Sequence, residues 1–243
     1  MSTTNTLEWP TLNDLVWVHS HHSIQQDLKD THNISKYIIS RIINNDLYDT
    51  YIKSFIKWIH LILDNIIHHY FCKHTYYFPM IKLPICEQLK QEYSVIKDII
   101  DTIYKEHKHI KKIFRRFDKN NKQSRDTMIE SIHTIDRHIK HLLHLIRINF
   151  NKEYTILIPK IMNQFTYAEI RSLDIKIGLR ARWYALPHLY RSISKDEYTD
   201  HIIRILQLPK ITRDTVVAIQ FKRYKLEYIP IIQKLLPNYR NLW

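Results

Sequence analysis

Sixteen histidines in a chain of 243 residues are the chemically suggestive feature of this sequence, and several recur at spacings that matter on a helix. His60, Asp64 and His68 follow one another at i, i+4 and i+8. They therefore share one helix face, a spacing that suits a metal ion with nitrogen and oxygen ligands. Helical-wheel arithmetic turns that line away from the apolar stripe of the same segment, so a solvated polar face is the better reading. His133, His138, His141 and His144 spread around a later segment, none with an acid four residues on. His19, His21 and His22 precede or open the first long helix, where exposure or adventitious chelation is all they need imply. Cys72 and Cys86 lack CxxC spacing and a matching Cys/His pair, so they read as ordinary thiols. No Ser-His-Asp or Cys-His arrangement follows from spacing alone.

Charge is the second feature. The chain has 37 Lys and Arg against 24 Asp and Glu, a formal charge of +13 and a pI near 9.6. The segment YKEHKHIKKIFRRF (104–117) concentrates cations, with Lys108, Lys111, Lys112, Arg115 and Arg116 beside Phe114 and Phe117. Such a surface fits an acidic partner: nucleic-acid phosphate, an anionic membrane or a protein. Cations also suit a helix C-terminus in any case. Arg171, Lys176, Arg180 and Arg182 form a second basic set.

Composition narrows the choices. A single glycine excludes a Gly-rich phosphate loop, a GxGxxG dinucleotide turn and a nucleophile elbow, and it argues against turn-rich sandwiches and barrels. Abundant Ile, Lys, Asn, Tyr and His are the signature of an AT-rich genome, as in some large DNA viruses. The start MSTTNTLEWP lacks a basic region followed by an apolar stretch, and no apolar run is long enough to span a bilayer. With two cysteines only, a soluble protein of the reducing cytoplasm is expected.

The elements that must position these residues are helices. Apolar residues recur at helical spacing over roughly 22–45 (Leu28, Ile39, Ile43), 49–76 (Ile52, Ile56, Ile59, Leu63, Ile66, Tyr70), 86–116 (Leu89, Ile96, Ile99, Ile103) and from about 125 to Pro159 (Ile132, Ile135, Ile139, Leu142, Ile146). Pro79 and Pro159 are expected to stop the second and fourth helices, and DKNNKQS (118–124) is the clearest loop. Beyond 166, prolines divide shorter helices, and no internal repeat stands out. The expected architecture is all-α: an N-terminal arm over 1–21, an antiparallel up-and-down four-helix bundle over 22–165, and a helical extension over 166–243 packed on it.

The second helix ends HHYFCKHTYYFP (68–79), which resembles the signature of hemerythrin-like cation-binding domains. DTHNISKYI (30–38) resembles the first-helix segment of that family, KQEYSVIKDII (90–100) the third and FNKEYTILIPKI (150–161) the fourth. WYALPHLYRSI (183–193) and the terminal NYRNLW are faintly similar to an extension in some members. The resemblance implies a four-helix bundle around a non-haem di-iron centre, with His and carboxylate ligands from all four helices. Carried over residue by residue, the ligand positions fall on His32, Tyr70, His74, Glu92, Phe150 and Tyr154, the last with Glu153 beside it, so one of six expected ligands is kept.

Wheel arithmetic places His32, His74 and Glu92 toward the interior, where an ionised Glu92 needs a partner and His74 is the candidate. Two readings stay open. His32, Tyr70, His74, Glu92 and Tyr154 could form a remodelled site for iron, manganese or zinc. Otherwise they make a satisfied hydrogen-bond network in a bundle that has lost its metal, the molecule serving as a scaffold through its basic surface. No feature marks an enzyme, and catalysis would require the metal.

Overall fold

The apolar stripes become long helices in the computed structural model, which describes residues 16–47, 49–180, 191, 215, 218–219 and 221–236. In chain order these are α1 (Val16–Ile43), α2 (Asp49–Cys72), α3 (Phe78–Ile81), α4 (Pro84–Phe114), α5 (Lys122–Lys152), α6 (Ile158–Gln164), α7 (Tyr167–Arg180) and α8 (Ile229–Leu235). The chain is all-helical, with no strand among the described residues. Residues 1–15, most of 183–193, 238–243, and the side chains of Lys176, Arg180 and Arg182 lie outside the described set.

Local chemistry sets the ends. The Asn121 side chain accepts from the Ser124 backbone N–H at 3.1 Å and caps α5. In a chain with almost no glycine, Asn45 (φ 56°) and Lys82 (φ 52°) take the left-handed positions after α1 and α3. Asparagine tolerates that conformation, whereas for Lys82 it costs about 1–2 kcal/mol. α1 begins earlier than the expected boundary at residue 22, which brings His21 inside the helix, fully buried.

Long helices form because their stripes have somewhere to go. α1 packs on α2 and α5, and α4 packs on the same two, so the four close a ring around one core. Leu28, Ile38, Phe55, Trp58, Ile59, Ile100, Ile132 and Ile139 fill it. Each isoleucine sealed from water there contributes roughly 2 kcal/mol. α8 lies against α2 and α1, where Asn65 Nδ2 donates to the Tyr228 hydroxyl at 3.0 Å. A second apolar cluster joins Cys72, Phe78, Ile81, Leu89, Ile158 and Ile161 to Ile170 and Leu173 of α7. No helix among the described residues is long and apolar enough to cross a membrane.

Pro79 and Pro159 do not stop their helices as expected. Each follows a π turn, Lys73–Tyr77 and Glu153–Leu157, and the chain runs on into α3 and α6. A proline has no N–H for the bond four residues back, and its ring clashes with that carbonyl; a turn widened by one residue relieves both. A third π turn, Tyr224–Tyr228, precedes Pro230 in the same register. Six residues before each proline stands Lys73, Glu153 or Tyr224, all buried, and nine before it an aromatic, Tyr70, Phe150 or Phe221. The sequence therefore carries a recurrent pattern where none was expected.

Candidate functional site

The two π turns of α2 and α5 bring their first residues face to face. The Lys73 ammonium donates to Glu153 Oε1, and both side chains are almost wholly buried, at 3% and 1% exposure. The ammonium also lies 4.5 Å from the Tyr70 ring centroid and 5.2 Å from that of Phe150, so aromatic faces share its charge. Burial alone would raise Glu153, but the neighbouring Lys73 and His21 outweigh it and hold the carboxyl down at about 2. Burial pulls the Lys73 ammonium down from its usual value, with Glu153 opposing.

His21 closes the cluster from α1. Its Nε2 lies 3.4 Å from Glu153 Oε2, and its Nδ1 shares a hydrogen bond with the Tyr154 hydroxyl at 3.0 Å. The imidazole stacks on Phe150 at 3.5 Å between centroids and meets His69 edge-on at 5.0 Å. Burial lowers His21 to about 4, with Glu153 only partly opposing, so the ring is neutral at pH 7.

A polar relay leads outward from this centre. The Tyr70 hydroxyl donates to Asn149 Oδ1 at 3.1 Å, Asn149 Nδ2 donates to Glu92 Oε2 at 3.4 Å, and Lys152 donates to Glu92 Oε1. Burial raises the phenol of Tyr70 well above its usual value and that of Tyr154 to about 12, so both keep their protons.

The five residues expected to share a site are thus distributed. Tyr70 and Tyr154 border the buried cluster. Glu92 sits at its rim, 27% exposed, and its partners are Lys152, Asn149 and Gln88 rather than the expected His74. His74 faces Tyr93 edge-on at 4.7 Å and Phe78 at 5.3 Å, and burial, with Lys73 nearby, lowers it to about 4. His32 is eleven residues beyond His21 on α1, about 16 Å along the axis. There it pairs with Asp136 of α5.

The residues that do converge are His21, His69 and Lys73, Asn149 and Glu153. Within each helix the pair is spaced i, i+4, and the signal that could have found them is the shared distance to Pro79 and Pro159. Among the described residues no group of three or more His, Cys, Asp or Glu is arranged to hold a metal ion. The donor set does not suit a di-iron centre, because it offers one carboxylate whose oxygen is already taken by an ammonium.

The remaining histidine groups follow solvent. His60 and Asp64 are half-exposed, 3.5 Å apart, and Asp64 also accepts from the Tyr104 hydroxyl at 2.7 Å. His133, His141 and His144 are exposed at separate points of α5. The cations of the basic segment are exposed as well: Lys108, Lys111, Lys112, Arg115 and Arg116 crowd the last turns of α4 and the loop beyond. Lys53 of α2 reaches the same end, 6.0 Å from the Phe114 ring. No protein-family model, curated protein or solved structure matches the chain.

Proposed function

We propose that the chain is a metal-free, hemerythrin-like protein that binds nucleic acid through its basic end. In this reading α1, α2, α4 and α5 form an antiparallel up-and-down bundle. The ring of contacts between consecutive helices and the short connections between them support that topology. In this reading the Lys73 ammonium, paired with Glu153 in the core, takes the part of the cation that such a bundle holds. A tethered lysine supplies the positive charge the buried carboxylate needs, without a loadable site. Free, buried Cys72 and Cys86 fit a reducing cytoplasm.

The observation that carries the binding function is the density of unspent positive charge at one end. Residues 105–125 contain nine Lys or Arg and two acids. Lys108, Lys111, Lys112, Arg115 and Arg116 are exposed and have no ion pair among the described residues. Exposed cations attract phosphates whatever the bases they carry, so the binding proposed is indifferent to sequence. Fluorescence anisotropy of a labelled duplex oligonucleotide tests it. Salt-sensitive binding that disappears when Lys111, Lys112, Arg115 and Arg116 are all changed to Glu is the expected result. Binding to anionic vesicles without binding to the oligonucleotide would move the protein to a membrane surface and overturn this assignment.

A further inference from the structure

His32, which takes no part in the buried cluster, has a setting of its own. Its Nδ1–H donates to Asp136 Oδ1 at 2.7 Å, across the α1–α5 interface, and the ring is 25% exposed while the carboxylate is nearly buried. Asp136 Oδ2 also accepts from Lys140 at 3.0 Å, one turn further along α5. A carboxylate on one ring nitrogen fixes the tautomer and leaves the lone pair on the opposite edge, at Nε2. The ring lines a cleft of about 300 Å³ together with Leu28, Lys29, Asn33, Lys140 and Leu143. Lys29 lies one turn before His32 and Lys36 one turn after it, both exposed on α1. Two lysines, Lys29 and Lys140, and the Asn33 amide thus line the same cleft as the His32 ring.

We propose that His32 is a phosphoryl-acceptor residue, its Nε2 taking a phosphoryl group from a phosphoramidate or acyl-phosphate donor, with Asp136 as its positioning residue and Lys29 and Lys140 holding the phosphoryl oxygens. The Nε2 lone pair forms the new N–P bond as the bond from phosphorus to the donor's nitrogen or anhydride oxygen breaks. The electron pair of that bond leaves with the amine or carboxylate. The imidazole ring becomes cationic, and the Nδ1 proton stays in its bond to Asp136, which stabilises the charge. Two lysines beside the nitrogen offset the anionic oxygens of donor and product.

The comparison within the molecule sharpens the assignment. His60 also faces an aspartate, but at 3.5 Å, with both groups half-exposed and Asp64 already accepting from Tyr104. It is the internal control. The full-length protein is incubated with potassium phosphoramidate, and the intact mass and the 31P spectrum are followed before and after acid treatment. One acid-labile, base-stable phosphoryl group is expected, located on His32, absent in His32→Gln and unchanged in His60→Gln. Asp136→Asn should slow its incorporation about tenfold, the low end of the worth of a charge-assisted hydrogen bond. Far-ultraviolet circular dichroism confirms that each variant is folded. Incorporation at the exposed histidines of α5 in equal measure, none at His32, or an unchanged rate in Asp136→Asn would overturn the proposal.

Discussion

Lys73 and Glu153 hold the same place in two different helices: each opens a π turn, six residues ahead of a proline, and their side chains meet as a buried ion pair. Truncating either partner leaves the other charge in the core. Lys73→Met or Glu153→Gln should each lose about 3–5 kcal/mol of unfolding free energy in urea at pH 7. The double variant Lys73→Met/Glu153→Leu should recover most of that, because a matched apolar pair leaves no uncompensated charge. Recovery is the discriminating result; additive losses would mean that the pair acts through packing alone.

If the ammonium takes the place of a cation, reversing its charge should make room for one. Lys73→Glu would set a second carboxylate beside Glu153, one turn from His69 and near His21. That variant is expected to retain a divalent metal through gel filtration, read by mass spectrometry of the metal, while the natural chain retains none. Stoichiometric metal in the natural chain would show instead that Lys73 can be displaced.

The pH dependence separates two buried groups of opposite sign. His21 has a folded value of about 4 against 6.5, so between those limits the unfolded chain binds more protons and stability falls as pH falls. The loss is roughly 3 kcal/mol from pH 7 to pH 4, and His74 shifts the same way. Asp27 runs the other way: burial raises it from 3.8 to about 7, with Arg191 opposing, so its contribution is complete below 3.8 and lost as pH rises through 7. Urea midpoints taken across pH 4–7 should therefore fall less on acidification in His21→Gln than in the natural chain, and more in Asp27→Asn. Parallel curves for all three proteins would refute the assignment.

The helices were legible because the stripes are long and regular, with Ile52, Ile59, Leu63 and Ile66 all buried where the period puts them. The resemblance, counted back from Pro79 and Pro159, marks Tyr70, His74, Phe150 and Tyr154, whereas the charged pair that meets between the two helices is formed by the neighbours Lys73 and Glu153, each one turn beyond His69 and Asn149. One residue is about 100° of helix rotation, and the widened turn before each proline makes a straight wheel unreliable there. His21 was missed for a different reason. Its segment, SHHSIQQD, is polar to the eye, and it is tertiary partners, the Phe150 ring, the Tyr154 hydroxyl and the Glu153 carboxylate, that surround the buried imidazole.

Arg191 is held against α1 by buried charge. Its Nε donates to Asp27 Oδ1 at 2.8 Å, a terminal nitrogen donates to Asp30, and the guanidinium sits 5.9 Å from the Trp58 ring. All three charged side chains are buried. Arg191→Ala should cost about 3–5 kcal/mol by stranding two carboxylates. It should also change Trp58 fluorescence, whose indole N–H donates to Thr31 at 2.9 Å beside the same helix. Adding Asp27→Asn and Asp30→Asn should restore a large part of the loss; failure to do so would mean that Arg191 contributes contact area and not charge.

The basic end predicts a salt law as well as an affinity. Neutralising a duplex phosphate releases condensed counterions, so the logarithm of the binding constant falls with that of salt by about 0.9 per phosphate contacted. If Lys111, Lys112, Arg115 and Arg116 each meet one phosphate, the slope is roughly −3.6, and raising salt from about 50 to 200 mM weakens binding by roughly a hundredfold. Changing one of these residues to Gln should lower the slope by about one and weaken all sequences alike, since a phosphate contact carries no base information. Changing Arg137, which is tied to Glu130 and Thr134 on α5, should leave the slope untouched. A slope near zero, or one that depends on base sequence, would place the binding energy in other contacts and remove the basic end from the interface.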